Sequence, residues 1–171
     1  MLELRLFDNL DERQQQDAAL ILRSNTPHKA SSALAWLQQP GIVTVAGLKH
    51  GAVAAIYGLS PFLRRESGVL KNLGSGYLAA RPTGQGIGTE MMRSLGFVFE
   101  GLASQAAVSA VEHVVVTRTT LFGRLGYGAC GWRPDGSNVF AAAYYPQPHE
   151  FAAGQQQIVD KFMSFAHQTW I

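Results

Sequence analysis

Three glycines in five residues, Gly84-Gln85-Gly86-Ile87-Gly88, separate an apolar run ending near Ala80 from a long apolar-periodic stretch that begins near Thr89. Strand, glycine turn and helix in that order constrain this chain more than any other feature. Successive glycines let a backbone turn tightly, so that several N–H groups point into one concavity. The N-terminus of the following helix adds about half a positive charge at the same place. Such a turn suits a pyrophosphate and needs no basic side chain. No Lys-Ser or Lys-Thr follows the glycines and no early βαβ unit surrounds them, so neither a Walker loop nor the dinucleotide fingerprint fits.

The elements around the turn predict one α/β domain. Leu2, Leu4 and Leu6 alternate with Glu3 and Arg5, which predicts a strand over Leu2 to Phe7. Asn9 and Glu12 have capping-box spacing ahead of a helix over Leu10 to Arg23. A shorter helix is expected over Ser31 to Gln39, stopped by Pro40-Gly41. Strands follow at Ile42 to Leu48 and Ala52 to Leu59, joined by a three-residue turn that Gly51 permits. Ser60 to Gly68 reads as an exposed loop, and Val69 to Ala79 as one strand weakened by Gly74 and Gly76. Past the glycine turn, a helix is expected from Thr89 to at least Ala103, weakened by Gly96 and Gly101. A strand over Val111 to Thr117 and a short helix over Thr119 to Leu125 come next. Strands at Tyr127 to Arg133 and Val139 to Tyr145 flank Pro134-Asp135-Gly136. A last helix, Gly154 to Gln168, carries Ile158, Phe162 and Phe165 on one face. The order is β-α-α-β-β-β-α-β-α-β-β-α around a largely antiparallel sheet.

Composition removes several classes of function. The 171 residues are 47% hydrophobic and 15% charged, which fits one domain and excludes a disordered segment or a coiled coil. Fourteen basic and 12 acidic side chains leave a net charge of +2 with no run of Lys or Arg, so no nucleic-acid footprint is present. Cys130 is alone, which excludes an internal disulfide and suits a reducing compartment. The apolar stretch from Gly41 to Leu59 is broken by Lys49-His50-Gly51, short of the about 20 apolar residues that span a bilayer. Met1 to Arg5 lacks the basic and apolar segments of a secretory signal, so a cytoplasmic protein without membrane contact is expected. His28, His50, His113, His149 and His167 show no metal-ligand spacing, and no serine sits in a nucleophile elbow, so neither a metal nor a hydrolase triad is expected. Glu66 reads as a solvated loop carboxylate near the acceptor side, and Cys130 as a small strand residue. Glu112 and His113 begin a strand at the end opposite the expected cleft, whereas Arg118 ends it beside that cleft.

The segment Leu121-Phe122-Gly123-Arg124-Leu125-Gly126-Tyr127 lies one strand after the glycine turn and its helix. Together with Gln85-Gly86-Ile87-Gly88, and with the order of elements from Leu2 to about Tyr145, it resembles the GCN5-related N-acetyltransferase superfamily. In that family an Arg/Gln-x-x-Gly-x-Gly/Ala turn binds the coenzyme A pyrophosphate. A later short helix with a Phe-Tyr-x-x-x-Gly-Phe-like pattern lies along the pantetheine. The resemblance implies an α/β acyl-CoA N-acyltransferase fold, with a central mixed, largely antiparallel sheet flanked by helices. Residues 1–150 would form this domain, and residues 151–171 an extra C-terminal helix packed on the domain or against a second copy in a homodimer.

The same resemblance implies acetyl-CoA or coenzyme A as donor and a small-molecule or peptide amine as acceptor, the amine attacking the thioester directly in a ternary complex. It implies that backbone N–H groups of Leu78, Ala79 and Ala80 hold the thioester. Thr83, Gly84, Gln85, Gly86, Ile87, Gly88 and Thr89 would hold the pyrophosphate, with Phe122 as a wall beside the pantetheine. Thr83 stands where the family has Arg or Gln. Phe122 stands where it has the tyrosine that protonates the departing thiolate, and no asparagine occurs among Thr117, Arg118, Thr119 and Thr120. These departures leave the catalytic acid and base unassigned. Two other readings share the fold: transfer of a longer acyl chain from a carrier or an acyl-CoA, and a coenzyme A-binding module without turnover.

Overall fold

The computed structural model of the chain describes residues 1–25, 33–39, 41–59, 63–72, 76–82, 84–116, 133–134 and 139–169. In chain order these form β1 (Glu3–Leu6), a 3-10 turn at Phe7–Asn9, α1 (Glu12–Asn25), α2 (Ala33–Leu37), β2 (Val43–Lys49), β3 (Ala52–Leu59), β4 (Leu63–Glu66), β5 (Val69–Asn72) and β6 (Gly76–Ala80). There follow α3 (Ile87–Gln105), β7 (Ala110–Val116), β8 (Arg133–Pro134), β9 (Val139–Tyr144) and α4 (Ala153–Thr169). The expected helix over Thr119 to Leu125 lies outside the described residues, as does the expected strand Tyr127 to Arg133 except for Arg133, which opens β8.

Two tight hairpins organise the strands. His50 and Gly51 have φ of 52° and 79°, and Ser67 and Gly68 have φ of 51° and 78°. Two consecutive left-handed residues match the twist of antiparallel strands, so a two-residue loop suffices. His50-Gly51 thus joins β2 to β3, where a three-residue turn was expected, and Ser67-Gly68 joins β4 to β5. The loop expected over Ser60 to Gly68 therefore contains a strand. Leu63 is buried while Arg64, Arg65 and Glu66 are exposed, the charged pattern of an end strand. The single strand expected from Val69 to Ala79 is two strands, β5 and β6, which belong to different sheets.

One sheet has the order β1-β2-β3-β6 and is antiparallel throughout; the other has the order β4-β5-β7-β9-β8, parallel only between β5 and β7. The sheet is thus mixed and largely antiparallel. β2 and β3 are buried on both faces, which is why their sequences are apolar almost without alternation. Val45, Ala55 and Tyr57 face α3 and α4, and Ala46, Leu48 and Ile56 face α1 and α2.

Local sequence explains the helix starts and the close contacts. α1 begins with a reciprocal capping box in which Gln14 N–H donates to Asp11 Oδ1 at 2.8 Å and Asp11 N–H donates to Gln14 Oε1 at 3.1 Å. The expected box at Asn9 and Glu12 is displaced because Asn9 sits in the 3-10 turn and donates instead to Gln157. α3 runs unbroken through Gly96 and Gly101, where the rings of Tyr144 and Phe151 rest on its backbone. α4 packs on β1 and α3 of its own chain, burying Ile158, Val159 and Phe162. No helix among the described residues is long and apolar enough to cross a membrane.

Candidate active site

The two sheets part at one pair of residues. β5 and β7 run in parallel register from Val69 opposite Ala110 to Asn72 opposite His113. Beyond that pair, β7 continues to Val116 with β9 as its partner. The chain of β5 resumes as β6, which pairs with β3 from Leu59 opposite Gly76 to Ala55 opposite Ala80. β6 is the end strand of its sheet, so no strand covers its outer edge among the described residues. Strands that begin as neighbours therefore finish in different sheets, and a fork opens between β6 and the second half of β7.

β6 leads directly into the glycine turn. Arg81 N–H donates to the Ala54 carbonyl at 2.9 Å, carrying the strand pairing one residue past Ala80. Gly84 and Gly86 then take φ of 77° and 75°, and Gly86 is the N-cap of α3. No side chain among the described residues caps this helix, and the first of its backbone bonds runs from Glu90 N–H to the Gly86 carbonyl at 2.9 Å. The N–H groups of Ile87 and Gly88 precede that bond and point out of the positive end of the helix. Ile87 is buried and anchors the turn from below, whereas Gly84, Gln85 and Gly86 are exposed. A β-carbon built on Gly86 meets nothing within 4 Å among the described residues, so the outer side of the turn is open to them. Backbone donors, positive potential and open space make a cradle that fits a pyrophosphate.

Of the residues expected at the site, Leu78, Ala80, Gly84, Gln85, Gly86, Ile87, Gly88 and Thr89 gather at this end of the fork. A β-carbon on Gly88 would lie 3.4 Å from Leu78 Cδ2, an ordinary contact that seats the start of α3 on β6. The Ala79 side chain faces the α1–α2 core, and its N–H is turned towards β3 by the same alternation that pairs Arg81 with Ala54. Thr83 and Phe122 lie outside the described residues, as do Arg118 and Cys130.

The candidate carboxylates are elsewhere. Glu66 stands on β4 opposite Val69, at the hairpin end and away from the fork, rather than on a loop. Its carboxylate lies 3.8 Å from Arg64 and 3.7 Å from Lys71, and Glu112 lies 3.9 Å from the same lysine. These are surface ion pairs. Among the described residues, no group of three or more His, Cys, Asp or Glu side chains is arranged to hold a metal ion.

His113 requires a correction. Its strand does begin at the far end, but His113 is the last residue paired with β5 and so stands at the apex of the fork. It is buried beneath Phe99, with ring centroids 4.6 Å apart. Tyr57 Oη on β3 lies 3.2 Å from its Nε2, and Asn72 Nδ2 on β5 lies 3.4 Å from the same nitrogen. Burial disfavours the charged ring and lowers its pKa from 6.5 to about 3. Sequence reasoning passed over this cluster because His113 lies inside the apolar run Val111 to Val116, and its partners come from two other strands.

No protein-family model matches the sequence, and no curated protein matches it. Solved structures do match in three dimensions. The aminoglycoside 6'-acetyltransferase type Ii superposes with a TM-score of 0.57 at 13% identity, covering 86% of this chain and 100% of that one. The N-acetyltransferase PseH of Campylobacter jejuni, solved in complex with acetyl coenzyme A, gives 0.51 at 10% identity over 86% and 100% of the two chains. A structure titled as the KacTA–DNA complex gives 0.50 at 14% identity over 96% and 99%. The chain has the fold of the GCN5-related N-acetyltransferase superfamily, including a C-terminal helix.

Proposed function

We propose that this chain is a CoA-dependent N-acetyltransferase that passes an acetyl group to an amine on a small molecule by direct attack in a ternary complex. The observation that carries the reading is the fork between β6 and β7 with the glycine turn and the start of α3 at its mouth. Acetyl coenzyme A supplies the thioester, and similar folds were solved with acetyl coenzyme A or coenzyme A bound. Its pyrophosphate suits the backbone donors from Gly84 to Thr89, with Thr83 at the start of the turn. Along Leu78 to Ala80 the N–H groups alternate: the Arg81 N–H bond to Ala54 turns the Ala79 N–H towards β3 and the Leu78 N–H to the outer edge, the place for a donor that polarises the thioester carbonyl; preorganised donors of this kind are worth about 10²- to 10³-fold.

Phe122 serves in this reading as a wall along the pantetheine. It has no proton to give, so the thiolate departs without a side-chain acid, which the acidity of a thiol tolerates near neutral pH. The buried His113 stays neutral and under Phe99, so it does not take the ammonium proton, and in this reading a chain of water does.

Calorimetry with coenzyme A, followed by thiol release from acetyl-CoA against a panel of polyamine, aminoglycoside, amino-acid and lysyl-peptide amines, tests the proposal. Coenzyme A binding with amine-dependent thiol release supports it. Absence of coenzyme A binding removes it, and binding without release from any amine turns the reading to a coenzyme A-binding module.

A further inference from the structure

Among the largest fully buried side chains of the core, Tyr57 is the one with a hydroxyl, and that hydroxyl is spent on His113. Tyr57 stands on β3 in register with Leu78 of β6, while His113 stands on β7 in register with Asn72 of β5. The three side chains therefore bridge both sheets at the point where they separate. Tyr57 Oη and Asn72 Nδ2 both reach the one ring nitrogen Nε2, so a hydroxyl from the first sheet and an amide from the second meet on a single atom of His113. Apolar side chains of similar volume would fill this space without the cost of desolvating polar groups. What they would lack is direction: a hydrogen bond fixes a distance and an angle, whereas apolar contact lets strands slide.

We propose that His113, held by Tyr57 and Asn72, is a positioning residue for acyl transfer: the cluster ties the two sheets at the apex of the fork and so sets the gap between β6 and β7 in which thioester and amine align. Its bearing on acyl transfer rests on the acetyltransferase reading above; the tie itself is a property of the chain without ligand. The cluster is buried on the α3 side of the sheets and touches no reacting atom. Its effect passes through the placement of Leu78 and its neighbours.

Tyr57→Phe keeps the ring and removes the hydroxyl that meets His113 Nε2. Ile158→Val, a buried change on α4, supplies a comparable loss of stability away from the fork. Hydrogen exchange on the free protein, coenzyme A calorimetry and thiol-release kinetics are then compared at a temperature where both variants are folded. In Tyr57→Phe, exchange should quicken in residues 76–80 and 110–116 and not in β1 or β2. The kcat should fall by about 10- to 100-fold, the cost of a misaligned reacting pair, with coenzyme A affinity nearly unchanged because the turn and α3 hold the pyrophosphate. Ile158→Val should do neither. Unchanged exchange at the fork, or a kcat that holds while the melting point falls, overturns the proposal. If the parent protein releases no thiol with any amine, it is the acetyltransferase reading that fails, and exchange alone decides the tie: confined quickening upholds it and its absence refutes it.

Discussion

The ring of Phe151 lies on the backbone of α3 at Gly101, in the space that a β-carbon would occupy. The same ring meets Phe97 edge-on at 5.5 Å, and Phe97 stacks on His149 at 3.7 Å. His149 Nε2 in turn lies 2.8 Å from the Glu100 carboxylate, and Gln147 N–H donates to the Glu100 carbonyl. Phe97, Glu100 and Gly101 share one face of α3 at spacings of three and four. That face holds the segment between β9 and α4 flat against the helix, and so determines where α4 can dock.

Gly101→Ala should therefore destabilise the protein although alanine is the better helix former. The propensity gain is about 1 kcal/mol, whereas overpacking costs about 1–3 kcal/mol when a ring must move. Urea unfolding should show a net loss, and adding Phe151→Leu should recover part of it. A single variant more stable than the parent would mean that Phe151 does not rest on the helix in solution.

This contact also marks where sequence reading stops. A glycine inside a helical pattern weakens the helix in isolation, and nothing in the sequence says that an aromatic residue fifty positions away will cover it. The same holds for the fork. Val69 to Ala79 reads as one strand weakened by Gly74 and Gly76, and the division into β5 and β6 comes from partners on β7 and β3. Elements with local causes were legible: the alternation of β1, the glycine turn with the helix behind it, and the apolar face of α4. The His113 cluster was not, since each of its members lies in a different strand.

Gly86 separates fold from ligand binding. Its φ of 75° costs an L-residue roughly 1–2 kcal/mol, although no atom of the described residues stands within 4 Å of a β-carbon there. Gly86→Asn should fold with less loss than Gly86→Ala, because asparagine tolerates the left-handed region. Gly86→Glu should resemble the alanine variant in stability yet place a carboxylate at the cradle, lowering coenzyme A affinity by at least about tenfold, the equivalent of 1.4 kcal/mol. Calorimetry on the three folded variants checks this, and a glutamate variant that binds as the parent does would move the pyrophosphate away from the turn.

Stability should fall as pH drops below about 6.5, and His113 should be one cause. Burial holds its folded pKa at about 3 against 6.5 when exposed, so between those values the unfolded chain binds a proton that the folded chain refuses. The unfolded state then gains, with a slope of up to about 1.4 kcal/mol per pH unit; above pH 6.5 both states are neutral and the contribution is constant. Unfolding free energies of the parent and of His113→Gln, measured from pH 7.5 to 5, should converge as pH falls. Parallel curves would mean that His113 is not buried as a neutral ring.

The last helix carries weight out of proportion to its position at the end of the described chain. Phe162 is 1% exposed and meets Phe99 edge-on at 5.5 Å, with Ile158 and Val159 fully buried beside it. Removing an aromatic ring from such a site costs about 3–5 kcal/mol, roughly a fifth or more of the stability of an ordinary domain. Phe165 is half-buried with Lys161 over its ring at 5.9 Å, so its removal should cost much less. Gly154 limits the helix from its other end, because a β-carbon there would run into the Leu4 carbonyl of β1. Phe162→Ala and Gly154→Ala should each lower the urea midpoint well below that of Phe165→Ala, and deletion of residues 151–171 should leave the core of β1 and α3 open and the product insoluble. If the deleted protein instead stays folded and soluble with the parent's midpoint, α4 does not close the core in solution, and the ordering of the three point variants should vanish with it.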